Sequence, residues 1–325
     1  MNRYKESEQA MTTAEATSRH RTEGRVWKQI RRSGQLYLFL ALPLIWLLVF
    51  MYYPMYGAQI AFRDFLPGQS IMGSEWIGFA NFTRFFESPL FERLIRNTLV
   101  LSAYSLLVGF PIPIILALSL NQLRTGWFKR SVQMISYAPY FISTVVMAGL
   151  ILQFLDMRRG PLNLLLAALG MEPIHFMGTA DYFPSIYVWS GVWQNTGFGT
   201  IIYLAALTTI DPALHEAAVV DGANRLQRIW HIDLPGIMPV IITLLILNMG
   251  QLTNIGFEKT FLLQNSLNLE TSEVISTYVY KVGLAGGVAN FSYAAAIGLF
   301  NSIIGLVLLL AANQLSKKFS QTSLF

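Results

Sequence analysis

The feature that most limits how this chain can fold is a series of six apolar runs, each close to 20 residues long. They lie at residues 36–56, 98–120, 134–155, 186–208, 237–255 and 293–313. A helix needs about 20 predominantly apolar residues to cross the hydrocarbon core of a bilayer. Because only 13% of the 325 residues are charged, the connecting segments offer too little polar surface to enclose six such helices in a soluble core. The sequence therefore predicts an all-α, polytopic membrane protein with six transmembrane helices.

Prolines lie inside two of these runs, at Pro111 and Pro113 in the second and at Pro139 in the third. Membrane helices tolerate proline where neighbouring groups satisfy the carbonyls that it leaves without a partner. We therefore expect each of the two runs to form a single span.

Lysine and arginine are concentrated in alternate connecting segments, which are residues 1–35, 121–133, 209–236 and 314–325. These segments together are net positive, whereas the segments between them are net negative. Cytoplasmic loops carry an excess of Lys and Arg. We therefore expect a multi-pass protein of a bacterial cytoplasmic (inner) membrane with both termini in the cytoplasm. Residues 1–35 would form a basic tail near the anionic lipid surface, with no need for a nucleic-acid partner, and residues 36–325 the membrane domain.

Motifs for catalysis or metal binding are incomplete or missing from the sequence. His215 and Glu216 begin like the zinc-protease motif H-E-x-x-H, but Val219 stands where the second histidine would be. Neither a G-x-x-x-x-G-K-[ST] nucleotide loop nor a G-x-S-x-G nucleophile motif occurs. The sequence therefore predicts that the chain is not an enzyme and holds no metal.

One short charged segment, residues 211–235, interrupts the apolar pattern, and we call it the polar loop. Asp211 can cap a helix that Pro212 begins, and Gly222 is a natural helix stop. A second short helix is expected between Gly222 and Pro235, with Pro235 helping to begin the fifth span. The polar loop is thus predicted to be a helix–Gly–helix at the cytoplasmic face.

The polar loop also matches the pattern E-A-A-x₃-G-x₉-I-x-L-P at every specified position. It resembles the coupling loop of permease subunits in binding-protein-dependent ABC importers. The resemblance implies that the loop docks on the ATPase through Glu216, Ala217, Ala218, Asp221, Gly222, Ile232, Leu234 and Pro235.

The resemblance extends over most of residues 35–325, including Trp-Gln-Asn-Thr-Gly-Phe-Gly at 193–199 and Ala-Ala-Ile-Gly-Leu-Phe-Asn-Ser at 295–302. Within the family, the chain is most similar to permeases for poly- and oligosaccharides, alginate importers among them. This implies a type I ABC importer permease fold that works with a second, different permease, two ATPase subunits and an extracytoplasmic solute-binding protein. ATP and magnesium would be bound by the ATPase partner, so no cofactor is expected on this chain.

Polar and aromatic residues in the fourth and fifth runs are candidates for a saccharide pathway. They are Trp189, Trp193, Gln194, Asn195, Asn248, Gln251 and Asn254. Aromatic faces and amides suit sugar rings, but the same residue types also serve as ordinary contacts between membrane helices. Both interpretations remain open from the sequence.

Four cations on the outer side run against the charge trend, namely Arg158, Arg159, Lys259 and Lys281. They would either steer an anionic saccharide towards the membrane or merely anchor loops at the lipid headgroups.

A secondary transporter or a channel subunit is the rival function. We expect the spans to lack the buried ionisable residues that ion coupling uses, which argues against this rival.

Overall fold

The computed structural model describes residues 33–253, 255–286 and 289–319. Nearly all of the predicted basic tail, residues 1–35, lies outside the described residues, and so does Asn254. The chain divides into two compact units, one ending at Gln59 and the other beginning at Ile60.

The first unit is described from Ser33 and consists of apolar helix. Its segments are an α-helix Gly34–Leu47, a π-turn Leu48–Tyr52, an α-helical turn Tyr53–Met55 and the start of a 3₁₀ helix Tyr56–Phe62. None of the residues from Gly34 to Met55 is buried within the protein, although nearly all are apolar. A helix that exposes apolar side chains on every side is suited to lipid.

The second unit holds the remaining long helices. They are Phe91–Gly109, Pro111–Asn121, Trp127–Tyr137, Thr144–Phe154, Tyr182–Leu207, Pro212–Val220, Leu234–Gly250 and Phe291–Phe319. Shorter α-helices are Ala80–Phe86, Pro161–Ala168, Arg225–Arg228, Phe257–Leu263, Leu269–Ser272 and Ile275–Tyr280. There are 3₁₀ turns at Ile71–Gly73, Ala138–Phe141 and Phe176–Gly178, and π-turns at Ile229–Asp233 and Lys281–Ala285. Two short antiparallel strands, Arg63–Asp64 and Glu75–Trp76, pair Arg63 with Trp76 and Asp64 with Glu75.

Among the described residues, four continuous helices are long and apolar enough to cross a membrane: Gly34–Phe62, Phe91–Asn121, Arg225–Gly250 and Phe291–Gln314. Two bent helix pairs pass the same test when each is taken together: Trp127–Phe141 with Thr144–Phe154, and Tyr182–Leu207 with Pro212–Val220. The six predicted runs all fall on these segments, which we number as spans 1 to 6 in chain order. Span 3 is the first bent pair, and span 4 is Tyr182–Leu207.

The third run forms one span by length and composition, as predicted, but its two halves meet at 101° and do not continue as one straight helix. Ile142 lies at the break with extended backbone angles. The side chain of Ser143 then accepts a hydrogen bond from the amide of Val146 at 3.3 Å and starts the second half. Pro139 lacks an amide hydrogen and Ser143 is a preferred helix cap, so the sequence carries both a stop and a new start here.

Pro235 lies in the first turn of the α-helix Leu234–Gly250, in agreement with the prediction that it helps to begin the fifth span. The second short helix of the polar loop is also present, at Arg225–Arg228, and it continues into the same apolar segment, so that span 5 as a whole begins at Arg225. A π-turn at Ile229–Asp233 precedes the proline. Such a turn adds a residue to the hydrogen-bonded ring, and this lets a helix continue past a residue that cannot donate.

Span 4 lies at the centre of the second unit and packs against both halves of span 2 and the first half of span 3. Its closest approach is at Gly197, where a β-carbon would lie within van der Waals overlap of the Ser136 carbonyl group. Thr200, one turn further on, is fully buried; its hydroxyl donates to the carbonyl of Thr196 at 2.7 Å and lies 3.4 Å from the carbonyl oxygen of Pro113. Small and hydroxyl side chains therefore allow three membrane helices to pack closely here.

Candidate functional site

A cavity of about 890 Å³ lies between spans 2, 3, 4 and 5 and the helix Phe257–Leu263. Its size is within the range of small-molecule sites. Polar groups come from each side, including Ser102, Thr144, Asn195, Asn248, Gln251 and Lys259. Aromatic rings of Phe110, Tyr140, Tyr187, Tyr203 and Phe257 complete much of the wall.

The cavity brings together four of the seven residues predicted for a saccharide pathway, which are Gln194, Asn195, Asn248 and Gln251. Trp189 and Trp193 do not line it, and each is more than half exposed. Helical geometry explains the difference. The cavity faces the strip of span 4 that carries Asn195 and its helical neighbours, and both tryptophans lie on the adjacent strip. The roles of all six residues stay predictions.

The amides of the cavity already use part of their hydrogen-bonding capacity within the protein. Gln194 donates to the carbonyl of Ile142 at 2.9 Å and so ties span 4 to the break in span 3. Asn195 and Asn248 donate to main-chain carbonyls of their own helices, each at 2.8 Å. A side-chain amide has a second hydrogen and two acceptor positions. The exposed Asn195 and Asn248 can therefore still bond to a polar ligand.

Lys259 is the most unusual residue of the cavity wall, because it is a cation that is only 8% exposed. Its Nζ atom donates to the main-chain carbonyl of Tyr187 at 2.8 Å and lies 4.8 Å from the centre of the Tyr187 ring. Burial lowers the pKa of Lys259 from 10.5 to about 8. This burial contradicts the alternative that Lys259 merely anchors a loop at the lipid headgroups, and its position on the outer side stays a prediction.

The other three outer cations differ from Lys259. Lys281 is held by an ion pair of 2.9 Å with Glu273, which also pairs with Arg93 at 2.6 Å. Arg158 and Arg159 are exposed, and their main-chain amides bond to the carboxylate of Asp156 at 2.9 and 2.7 Å. These amide hydrogen bonds are the main reason that the pKa of Asp156 is lowered. Lys281 therefore belongs to a structural ion pair, and the two arginines flank a turn.

The polar loop begins as the sequence predicts, with Asp211 accepting a hydrogen bond from the amide of Ala213 at 2.9 Å. The helix Pro212–Val220 follows, and we call it the polar-loop helix. Gly222 then adopts a φ of +82°, a left-handed conformation that strains a residue with a β-carbon. Asn224 and Gln227 form a reciprocal capping box that starts the next helix.

The polar-loop helix presents an exposed apolar surface flanked by carboxylates. Leu214 and Val219 are 54% and 55% exposed, and Val220 is 87% exposed. Of the eight residues predicted for ATPase docking, five are exposed: Glu216, Ala217, Asp221, Gly222 and Pro235. The other three, Ala218, Ile232 and Leu234, are half-buried. The structure thus places the eight residues on one connected segment, and their role stays a prediction.

A buried carboxylate that sequence reasoning did not single out lies under the polar-loop helix. Asp233 has no exposed surface, and its Oδ1 atom is 3.3 Å from the Nε2 atom of His215. Its Oδ2 atom accepts from Gln122 at 2.9 Å, and Asn121 makes a longer contact of 3.5 Å with Oδ1. Asp233 therefore links the polar-loop helix, the end of span 2 and the start of span 5. No sequence spacing relates residues from three separate segments, so only the fold brings them together.

Asp233 and Lys259 are buried ionisable residues, but Asp233 lies near the start of span 5 and Lys259 lies outside the six spans. The expectation that the centres of the spans lack such residues is therefore not contradicted, although these two groups weaken it as an argument against an ion-coupled transporter. A decision between the two functions has to come from other observations.

Comparison with known proteins supplies those observations. Residues 109–321 match the family described as "Binding-protein-dependent transport system inner membrane component". Protein LplB of Bacillus subtilis (strain 168) is 44% identical over 296 residues, which are 91% of this chain and 92% of LplB. The polygalacturonan/rhamnogalacturonan transport system permease protein YteP of the same organism is 44% identical over 290 residues, 89% of this chain and 90% of YteP.

A solved structure gives the same result in three dimensions. It is a chain of a bacterial alginate ABC transporter in complex with an alginate pentasaccharide-bound periplasmic protein, with a TM-score of 0.84 and 42% identity. The match covers 92% of this chain and 100% of that chain, and it confirms the predicted type I importer fold. The chain therefore belongs to the family of binding-protein-dependent transport system inner membrane components, and it is a permease subunit of an ABC importer.

Proposed function

We propose that this permease forms half of the membrane pathway for an oligo- or polysaccharide and that its polar loop couples the pathway to a separate ATPase. The observation that carries the coupling is the exposed apolar surface of the polar-loop helix, bordered by Glu216 and Asp221. An apolar patch with a charged rim is suited to a protein partner. The small side chains of Ala217 and Ala218 allow that partner to approach the helix closely.

In this proposal the complex contains a second, different permease, two ATPase subunits and an extracytoplasmic solute-binding protein. ATP and magnesium are bound and ATP is hydrolysed on the ATPase subunits, so this chain needs no catalytic site or cofactor of its own. The polar loop and both termini lie on the cytoplasmic side of a bacterial cytoplasmic membrane, as the distribution of Lys and Arg indicates.

The contacts of Asp233 support transmission of movement from the polar loop into the membrane. His215 lies on the polar-loop helix, Gln122 follows span 2, and Asp233 itself lies in span 5. If the ATPase moves the polar-loop helix, these hydrogen bonds would transmit the movement to spans 2 and 5 together. Those two spans also form walls of the cavity.

The cavity and the relatives support a saccharide as the substrate. Amide side chains and aromatic rings both line the cavity, as suits a sugar with hydroxyl edges and apolar faces. YteP is named for polygalacturonan and rhamnogalacturonan, and the solved transporter for alginate. We therefore expect a poly- or oligosaccharide to pass beside Gln194, Asn195, Asn248 and Gln251.

The coupling is tested by co-expressing the permease with its second permease and ATPase and purifying the complex. Glu216→Ala and Gly222→Val are expected to lower both the ATPase retained by the complex and saccharide uptake. Valine is strained at the φ of +82° that Gly222 adopts, whereas the matched Gly222→Asn variant tolerates it. Normal ATPase binding and uptake with both Glu216→Ala and Gly222→Val would show that the polar loop is not the coupling element.

A further inference from the structure

Lys259 occupies an unusual electrostatic position for a residue that serves packing alone. In the part of the chain that the structure describes, no carboxylate forms an ion pair with it. Its hydrogen bond to the Tyr187 carbonyl and its contact with the Tyr187 ring are both with neutral groups. A buried charge without a counter-charge is costly, and proteins usually pair it. Retention of an ammonium group here therefore indicates that its partner comes from outside the chain.

The position of the ammonium group makes it accessible from the cavity. Lys259 lines the cavity together with Gly191, and a β-carbon at position 191 would lie 3.3 Å from the lysine Nζ atom. The absence of a side chain at Gly191 thus leaves the ammonium group open on that side. An ammonium has three hydrogens to donate, and the Tyr187 carbonyl takes one of them.

Glu258 is the obvious internal candidate for neutralising Lys259, since it lines the same cavity. Adjacent residues on a helix do not face each other, however, and Glu258 is exposed whereas Lys259 is buried. The charge of Glu258 is therefore solvated, and it does not form an ion pair with its neighbour. Among the described residues of the cavity wall, these two are the only ones charged at neutral pH.

We propose that Lys259 binds a carboxylate of the saccharide in the cavity, so that this permease selects oligosaccharides of uronic acids over neutral ones. The proposal rests on the proposed function, because it assumes that a saccharide passes through the cavity. A carboxylate provides the missing counter-charge, and a hydrogen bond between an ammonium and a carboxylate is charge-assisted and therefore stronger than one between neutral groups. The amides of Asn195, Asn248 and Gln251 line the same cavity and are available for the sugar hydroxyls.

The experiment measures import into proteoliposomes that contain the complete complex and its binding protein. Two radiolabelled probes of equal length are compared, an oligogalacturonate and its fully methyl-esterified form, which keeps the hydroxyls and loses the charge. Lys259→Gln is the test variant, Lys259→Arg keeps the positive charge, and Glu258→Gln is the matched control at the neighbouring cavity position. Assembly of each complex is checked by the amount of ATPase that it retains.

We expect Lys259→Gln to lower oligogalacturonate import about tenfold while import of the ester changes less than about twofold. Lys259→Arg should keep the preference for the acid, and Glu258→Gln should not weaken it. If Lys259→Gln lowers the import of both probes equally, in a complex that retains its ATPase, Lys259 does not bind the carboxylate. The proposed saccharide function would be unaffected by that result. If the parent complex imports neither probe but imports another oligosaccharide, the selection of uronic acids is overturned and the proposed function stands. If it imports no oligosaccharide at all, both are overturned.

Discussion

The contact between His215 and Asp233 predicts a measurable energetic coupling between the polar-loop helix and span 5. Asp233 is fully buried and His215 is 27% exposed, with 3.3 Å between the facing nitrogen and oxygen atoms. A hydrogen bond to a charged group contributes roughly 1.5–3 kcal/mol to stability. Partial exposure of His215 and the remaining bond from Gln122 reduce the share of this one contact. We expect a coupling free energy of about 1–2 kcal/mol.

The assay is a double-mutant cycle with His215→Gln, Asp233→Asn and the double variant. The free energy of unfolding is measured in mixed micelles of detergent and sodium dodecyl sulfate, and saccharide imported per ATP hydrolysed is measured in proteoliposomes. Each single variant should be less stable than the parent and should waste more ATP. The double variant should lose less stability than the sum of the two single losses.

A matched control uses His231, which is exposed and contacts the carbonyl oxygen of Gln227 at 2.9 Å. His231→Gln combined with Asp233→Asn should be additive within about 0.5 kcal/mol, because side chains two positions apart on a helix do not face each other and no ion pair joins these two among the described residues. If the cycle of His215 with Asp233 is additive to the same precision, the two residues do not hold the polar-loop helix to span 5.

Three further predictions concern the cavity and its walls. Gly197→Ala should destabilise the protein by about 1–3 kcal/mol, because the new β-carbon would overlap a main-chain carbonyl group. Gly298→Ala is the control: no atom lies within 4 Å of its β-carbon position, and the variant should be neutral or slightly stabilising in the same unfolding assay. Gln251→Ala should reduce saccharide import more than Trp193→Ala does, and the reverse order would place the pathway elsewhere. Between pH 7 and 9, oligogalacturonate import should fall as Lys259 loses its proton, and a profile unchanged by Lys259→Gln would refute this.

Deprotonation of Lys259 should also change the stability of the protein, in the opposite direction to import: import should fall as the pH rises, whereas the free energy of unfolding should increase. The pKa of Lys259 in the folded protein is about 8, below the ordinary 10.5, so burial disfavours the charged form. The charged form of Lys259 therefore lowers the free energy of unfolding below pH 8. This loss is recovered as the pH rises from 8 to 10.5, because the lysine is then neutral in the folded protein and still charged in the unfolded chain. Among the described residues, the titratable groups beside the helix Phe257–Leu263 are Glu258 on that helix, Tyr187 on span 4 and Tyr280. Thermal stability should thus increase over this range in the parent and increase less in Lys259→Gln.

Apolar length was sufficient to predict the spans, since each run of close to 20 residues corresponds to membrane-spanning helix. Local chemistry was also sufficient for the polar-loop helix, where Asp211, Pro212 and Gly222 act within a few residues of the helix ends. The break in span 3 was harder to predict. Pro139 alone does not distinguish a tolerated proline from a stop, and the restart depends on the cap supplied by Ser143.

The electrostatic features were missed because they depend on which segments meet. Lys259 follows span 5 in a short polar segment and resembles an ordinary surface lysine. Its helix packs against span 3 and the helix Ile275–Tyr280, and Lys259 becomes buried beside Tyr187 of span 4. Asp233 looks like one of several charges in the polar loop, but only the fold brings Gln122 and His215 to it. Trp189 and Trp193 were predicted from helical spacing. That spacing identifies a shared strip but not which neighbour the strip faces.

The 101° bend in span 3 has a consequence for how the cavity can satisfy a sugar. An unbroken helix uses its own main-chain donors and acceptors, so its wall offers a ligand only side chains. At the break, Tyr140, Ile142, Ser143 and Thr144 all contribute to the cavity wall. The peptide groups of Ile142 are already bonded to Pro139 and Gln194, whereas the amides of Ser143 and Thr144 precede the first hydrogen bond of the second half. Peptide groups are the same whatever the side chain. Relatives with different saccharides could therefore exchange the residues around this cavity and still keep a main-chain surface for hydroxyl groups.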